Sequence, residues 1–171
     1  PNVGKSTIVG QLSSARPQVS EYPFTTKQIY IGTYKDQYGG RFFQVIDTPG
    51  VLDRPMFERN NIEKQAILAL RTIATIIIFV FDPTLASGYD VENQIALFEE
   101  IRENFAKDLQ IPIKVVINKI DFAKKTEIDH LLTKIKKNRD DVLLISATTG
   151  EGVDKIHQYL LSYFQSTNYQ R

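Results

Sequence analysis

The chain has 171 residues, enough for one domain with a substantial core and too few for two ordinary ones. An apolar share of 42% and a charged share of 24% rule out wholesale disorder, a collagen-like repeat and a membrane protein. The net charge of +1, from 21 basic and 20 acidic residues, excludes a strongly basic whole-domain footprint for nucleic acid, so any RNA contact must come from a local patch or from sequence outside this chain.

With no Cys, disulfides, thiolate metal sites and a Cys nucleophile are excluded, which fits an intracellular protein. The opening PNVGKST carries no apolar stretch behind a basic start, so no secretory or transit segment is expected. The most apolar run, residues 76–81, ends at Asp82-Pro83 and falls far short of the about 20 residues a helix needs to span a bilayer.

Residues 6–12 are predicted as a short helix that starts directly after Gly-Lys. Residues 13–26, with Pro17 and Pro23, read as irregular. Residues 28–34 alternate and are rich in Ile and Tyr, and residues 41–47 (RFFQVID) follow a turn at 36–40, so the pair predicts a hairpin. Pro49-Gly50 breaks the chain, and helical spacing of Ile62, Ala66, Ala69 and Leu70 predicts a helix over 57–70. Residues 76–81 and 113–117 (IKVVI) are apolar runs of the kind buried on both faces of a parallel sheet. Helices are predicted over 91–105, 127–137 and 153–164, and a short strand over 142–145. The alternation gives an α/β domain with helices on both faces.

Four signals that carry chemistry occur in one order. Asn2-Val3-Gly4-Lys5-Ser6-Thr7 is the back half of a phosphate-binding loop, whose first Gly would lie two residues before Pro1. Small residues let backbone N–H groups converge on phosphate oxygens, and the helix that follows points its positive end at them. Lys5 would supply charge to the β and γ phosphates, and the Ser6 hydroxyl can ligate Mg²⁺. Asp47-Thr48-Pro49-Gly50 leaves a predicted strand, where Asp47 would hold Mg²⁺ through water and the Gly50 N–H could reach a γ-phosphate. In Asn118-Lys119-Ile120-Asp121, the Asp121 carboxylate would accept the adjacent N1–H and N2–H₂ of guanine, which adenine lacks. Asn118 would brace that loop and the Lys119 stem would cover the base. Ser146-Ala147 follows the last strand, with the Ala147 N–H expected to meet the guanine O6. Each signal sits at the carboxyl end of a strand, where open α/β sheets place ligands; for the first, that strand is inferred ahead of Pro1.

These motifs resemble the translation-factor-like P-loop GTPases. Through Tyr22-Pro23-Phe24-Thr25-Thr26 the chain resembles the Obg-like group, and more narrowly the nucleolar GTP-binding protein (Nog) family and its archaeal relatives. The segments YPFTTK (22–27), DTPGVLDRP (47–55), RNNIEKQAILAL (59–70) and FDPTLASGYDVENQIALFEEI (81–101) carry that resemblance over almost the whole chain.

The resemblance implies a GTPase G domain: a mostly parallel sheet with one antiparallel strand, helices on both faces, and a first strand missing between strands 41–47 and 76–81. It implies an N-terminally truncated domain with a helical domain upstream. It makes Thr26 the switch I threonine that joins Mg²⁺ when GTP is bound, with Thr25 the alternative, and makes residues 47–59 switch II. Lys5, Thr26 and Gly50 become the catalytic set, and Ser6, Thr26 and Asp47 the metal set. Val51 stands where a water-orienting Gln is usual, followed by Leu52, so hydrolysis is expected to be slow without a partner. Asn2 suggests K⁺ stimulation, with a loop-stabilising role as the alternative.

The implied protein is a GTP/GDP-bound monomeric switch, cytoplasmic or nucleolar in a eukaryote, acting on a pre-ribosomal particle or rRNA in large-subunit assembly and not on a membrane. The alternatives are an Obg-like GTPase with another RNA or stress-response client, and a nucleotide-dependent scaffold with negligible hydrolysis. Lys124, Lys125, Lys134, Lys136, Lys137 and Arg139 form a basic cluster that reads as a solvated helix face or, alternatively, an rRNA-facing patch.

Overall fold

A computed structural model describes residues 2–13, 18–21, 28–35, 42–47, 61–107 and 109–168. Its elements run α1 (Lys5–Leu12), β1 (Gln18–Glu21), β2 (Gln28–Lys35), β3 (Phe42–Asp47), α2 (Asn61–Ile73), β4 (Ile77–Phe81), α3 (Val91–Ile101), β5 (Ile113–Ile117), α4 (Lys125–Lys134), β6 (Leu143–Leu144) and α5 (Val153–Asn168). The α/β class follows the sequence pattern. Among the described residues no helix is long and apolar enough to cross a membrane.

The strands fall into two sheets of three, antiparallel β1-β2-β3 and parallel β4-β5-β6. The hairpin expected from residues 28–47 forms, with Tyr30 opposite Asp47 and Lys35 opposite Phe42. β1 falls in the stretch expected to be irregular and pairs antiparallel with β2, Gln18 opposite Ile31. Its sequence, QVSE, has no apolar alternation to announce a strand, so backbone pairing defines it.

The expected single sheet is divided between β3 and β4. These strands flank an open groove lined by Ile8, Val9 and Leu12 of α1, Phe43 and Val45 of β3, Ile76, Ile78 and Val80 at β4, and Leu160 and Phe164 of α5. The resemblance puts the missing first strand at this position. Side chains nevertheless bridge the groove: Phe43 of β3 stacks on Phe164 of α5 with ring centroids 5.2 Å apart. On the other face Ile31 and Ile46 pack with Ile67, Ile77 and Ile101.

Pleating sorts the core of the parallel sheet. Val115 and Ile117 face α3 and α4, where they meet Phe81, Phe98, Ile128, Leu131 and Leu132. Val116, between them in sequence, faces α1 and α5 and meets Ile8, Leu12, Ile145, Ile156 and Leu160. Phe79, Phe81 and Phe98 form an edge-on cluster with centroids 4.7–5.5 Å apart, a geometry that suits the ring quadrupoles.

Helix ends follow local chemistry. Asp90 caps α3 by accepting from Asn93 N at 2.7 Å. The helix expected to run to residue 105 passes instead into a π turn, Arg102–Ala106. α4 starts at Lys125, two residues ahead of the expected 127, because Lys124 N donates back to Glu127 Oε2 at 2.7 Å. It ends with Lys136 N bonded to Thr133 O and Lys137 N to Leu132 O, while Lys136 takes φ +54°. That left-handed closure satisfies two terminal carbonyls without glycine.

Leu131 on α4 is fully buried, whereas Leu109 is 51% exposed. Leu131→Ala is expected to cost about 2–5 kcal/mol in urea unfolding, and Leu109→Ala less than about 0.5 kcal/mol. Equal effects would contradict the packing described.

Candidate functional site

A row of buried polar side chains marks the carboxyl ends of the strands. Asp47 closes β3, Asp82 follows β4, Asn118 follows β5, and Ser146 comes two residues after β6. They are 2%, 0%, 2% and 0% exposed. Buried polar groups at such positions must find partners or serve a ligand.

Asn118 finds partners on two other loops. Its Nδ2 donates to Val3 O at 2.8 Å, and its Oδ1 accepts from Ala147 N at 2.8 Å. One amide thus ties together the three sequence motifs at residues 2–7, 118–121 and 146–147. Gly4 lies so close to Asn118 that any Cβ would collide with Nδ2, and its φ of +98° is one that L side chains rarely adopt. Glycine is required there twice over.

α1 begins right after Gly4 with no side-chain cap, so its first-turn amides and positive dipole end stay open for an anion. Lys5 and Ser6 stand on that turn. The Ser6 hydroxyl donates to Asp47 Oδ2 at 2.5 Å. The other carboxylate oxygen, Asp47 Oδ1, is buried without a hydrogen-bond partner. A hydroxyl, a carboxylate and an orphaned buried oxygen form a hard-oxygen set that suits Mg²⁺. Among the described residues no three or more His, Cys, Asp or Glu side chains cluster as a metal cage.

On the other side of α1 the 118–121 turn is fixed by its backbone. Ile120 N donates to Ile145 O, and Phe122 N and Ala123 N both donate to Lys119 O. Lys119 takes φ +62°, and its Nζ lies 2.7 Å from Asp82 Oδ2. Asp121 is exposed at the mouth of this turn. Ser146 accepts from Thr149 N at its Oγ and receives Gly150 N at its carbonyl.

The structure therefore brings Val3, Gly4, Asn118 and Ala147 together and joins Ser6 to Asp47; Asn2, Lys5, Thr7, Lys119, Asp121 and Ser146 lie beside them on the same segments. Thr26 and Gly50 lie outside the described residues, as do Thr25, Val51 and Leu52. One position differs from the expectation: the Ala147 N–H, expected to face a base carbonyl, is given to Asn118 Oδ1. Sharing between the two acceptors would be needed for it to serve both.

Sequence reasoning missed two residues. Gln11 Nε2 donates to Ala147 O at 2.6 Å and holds that strand exit from α1. Asp82 read only as the end of an apolar run; the signal was its place directly after a buried strand, the same place that Asn118 holds after β5.

Residues 61–121 match the family model described as nucleolar GTP-binding protein 1. The chain is 47% identical over 128 residues to an uncharacterized protein of Methanocaldococcus jannaschii, covering 75% of this chain and 34% of that protein. It is 36% identical over 172 residues to nucleolar GTP-binding protein 1 of Drosophila melanogaster, covering 95% of this chain and 26% of that protein. A crystal structure from Plasmodium falciparum, assigned to nucleolar GTP-binding protein 1, superposes with a TM-score of 0.70 at 30% identity, covering 100% of this chain and 92% of that one. The chain thus spans about a third or less of the length of these curated relatives. The fold, the likeness along the full chain and the identity level agree: the chain belongs to the nucleolar GTP-binding protein 1 family.

Proposed function

We propose that this chain is the nucleotide-binding part of a GTP-hydrolysing switch that acts in large ribosomal subunit assembly. The tie made by Asn118 between Val3 O and Ala147 N carries the reading, because it sets a phosphate loop beside a base-reading turn. The names of the relatives support the guanine assignment and suggest the ribosomal setting. The setting would be cytoplasmic, or nucleolar in a eukaryote.

In this reading the first-turn amides of α1 and Lys5 bind the β and γ phosphates, and Asp121 selects guanine. Ser6 and Asp47 hold Mg²⁺, with Thr26 joining them in the GTP state. When bound, the ion neutralises charge that develops on the phosphate oxygens. Gly50 contacts the γ-phosphate, and its loss on hydrolysis releases the segments that carry Thr26 and Gly50. Val51 and Leu52 offer no hydrogen bond to an attacking water, so backbone, a bound ion or a partner surface positions it. Asn2 spends its Nδ2 on a long 3.5 Å contact to Ser87 O, leaving Oδ1 as a donor oxygen suited to K⁺. The groove between β3 and β4 takes an extended apolar segment from ahead of Pro1, which completes the phosphate loop and pairs with both exposed strand edges.

Calorimetry is expected to show GDP and GTP binding in Mg²⁺, with ADP and ATP far weaker. Asp121→Asn should weaken guanosine nucleotides by roughly tenfold to a hundredfold, the worth of hydrogen bonds to a charged group, and shift preference toward xanthosine nucleotides. Unchanged guanine preference in that variant would sink the assignment.

Turnover is expected to be slow, and faster in K⁺ than in Na⁺ buffer. Equal rates in the two salts would remove K⁺ from the scheme, and rapid turnover without a partner would remove the partner's role. A negligible rate even in single turnover with pre-ribosomal particles would favour a nucleotide-dependent scaffold instead. Extending the chain upstream through a complete phosphate loop should raise both its melting temperature and its GDP affinity; no gain in either would refute the strand assigned to the groove.

A further inference from the structure

Asp82 belongs to the buried polar row, and the proposed function gives it no role. Its side chain is 0% exposed, yet its position is fixed from every side. Oδ1 accepts from Thr84 N at 2.9 Å and from Thr84 Oγ1 at 2.6 Å. The Gln94 side chain grips the backbone of the same residue: Asp82 N donates to Gln94 Oε1, and Gln94 Nε2 donates to Asp82 O, both at 2.9 Å. Gln94 is itself buried on α3 and also holds Tyr89 O at 3.0 Å. The carboxylate is thus anchored through Oδ1, and its remaining oxygen, Oδ2, is buried with no hydrogen-bond partner and has the Lys119 ammonium as its ion-pair partner at 2.7 Å.

Lys119 is the residue that most needs such an anchor. A lysine stem is long and loses much rotamer freedom when it is fixed. It sits at φ +62°, a conformation few side chains adopt, inside the turn that ends in Asp121. Burying a carboxylate with no partner is costly, so the pair holds as a unit. The segment between Asp82 and α3 also reaches the phosphate loop, where Asn2 Nδ2 approaches Ser87 O at 3.5 Å.

We infer that Asp82 is a positioning residue for guanine binding: it holds the Lys119 ammonium so that the stem and the 118–121 turn are set before the base enters. This rests on the guanine reading of the site. Its benefit is preorganisation, because ordering the lysine in advance removes that cost from binding.

The test measures GDP affinity and thermal stability of the full chain carrying Asp82→Asn, Lys119→Gln, and both together. Asp82→Asn keeps an oxygen for Thr84 and removes the charge that faces Lys119. It should weaken GDP by about tenfold, the scale of one well-formed pair. In the Lys119→Gln background the same change should move GDP affinity by less than about twofold, since the lysine through which it acts is gone. Losses that simply add, or an Asp82→Asn chain that binds GDP as well as wild type does, would overturn the inference. Failure of the wild-type chain to bind GDP even when extended upstream through a complete phosphate loop would overturn the guanine reading and this inference with it. If Asp82→Asn does not fold, Thr84→Val frees the carboxylate from its hydroxyl partner while leaving its charge. That variant should weaken GDP about two- to threefold in the wild-type background and not at all with Lys119→Gln. Equal effects in both backgrounds would again count against the lysine.

Discussion

The carboxamide of Asn118 is the constraint on which the site depends. It is 2% exposed, and each end of it has a backbone partner on a different loop. An amide in that position cannot be replaced by a carboxylate, which has no donor for Val3 O, or by an aliphatic chain, which would leave two buried backbone groups unpaired. The glycine at position 4 follows from the same contact, since the amide nitrogen occupies the space a Cβ would need. The phosphate loop takes its shape partly from a residue 115 positions away in sequence. Its capacity to bind an anion is therefore coupled to the packing of β5, the strand that delivers Asn118.

β5 itself was legible because IKVVI is apolar on both faces, which in a chain of this composition means a strand covered on both sides. α3 was legible through its apolar spacing, and the hairpin through alternation on either side of a turn. β1 was not, because QVSE has no apolar alternation to mark it and is defined by pairing with β2. The same distinction holds in the site. Gly4, Lys5, Ser6, Asn118 and Asp121 have chemistry tied to short spacing, so a local reading finds them. Asp82 before a proline reads equally well as a turn; its burial and its ion pair arise only when β4 and β5 lie side by side. The sharing of the Ala147 amide was hidden for a related reason. A dipeptide reveals that a donor exists and not which of two acceptors the fold will offer it.

The residues of the site are arranged with different degrees of completion. At the exits of β5 and β6, Asn118 and Ser146 are hydrogen-bonded to Val3, Ala147 and Thr149, while after β4 Asp82 Oδ1 accepts from Thr84 and its Oδ2, without a hydrogen-bond partner, faces Lys119 Nζ at 2.7 Å. On the phosphate side, Asp47 keeps one buried oxygen without a hydrogen-bond partner. An acceptor in that state costs free energy that a cation can return.

The two sides also rest on different sheets. Asn118 and Ser146 leave the parallel sheet, whereas Asp47 ends β3 of the antiparallel one. α1 lies between, packing Ile8 and Leu12 with Val116 and Ile145 while Ser6 reaches across to Asp47. The hydrogen bond from Ser6 to Asp47 is thus a link between the sheets as well as a pair of metal-competent oxygens. No backbone pairing joins β3 to β4 among the described residues, and side chains such as Phe43 and Phe164 hold the groove together instead. Contacts of that kind slide more readily than a ladder of hydrogen bonds. A change in the width of the groove would therefore move Asp47 relative to Ser6 first and reach Asn118 last.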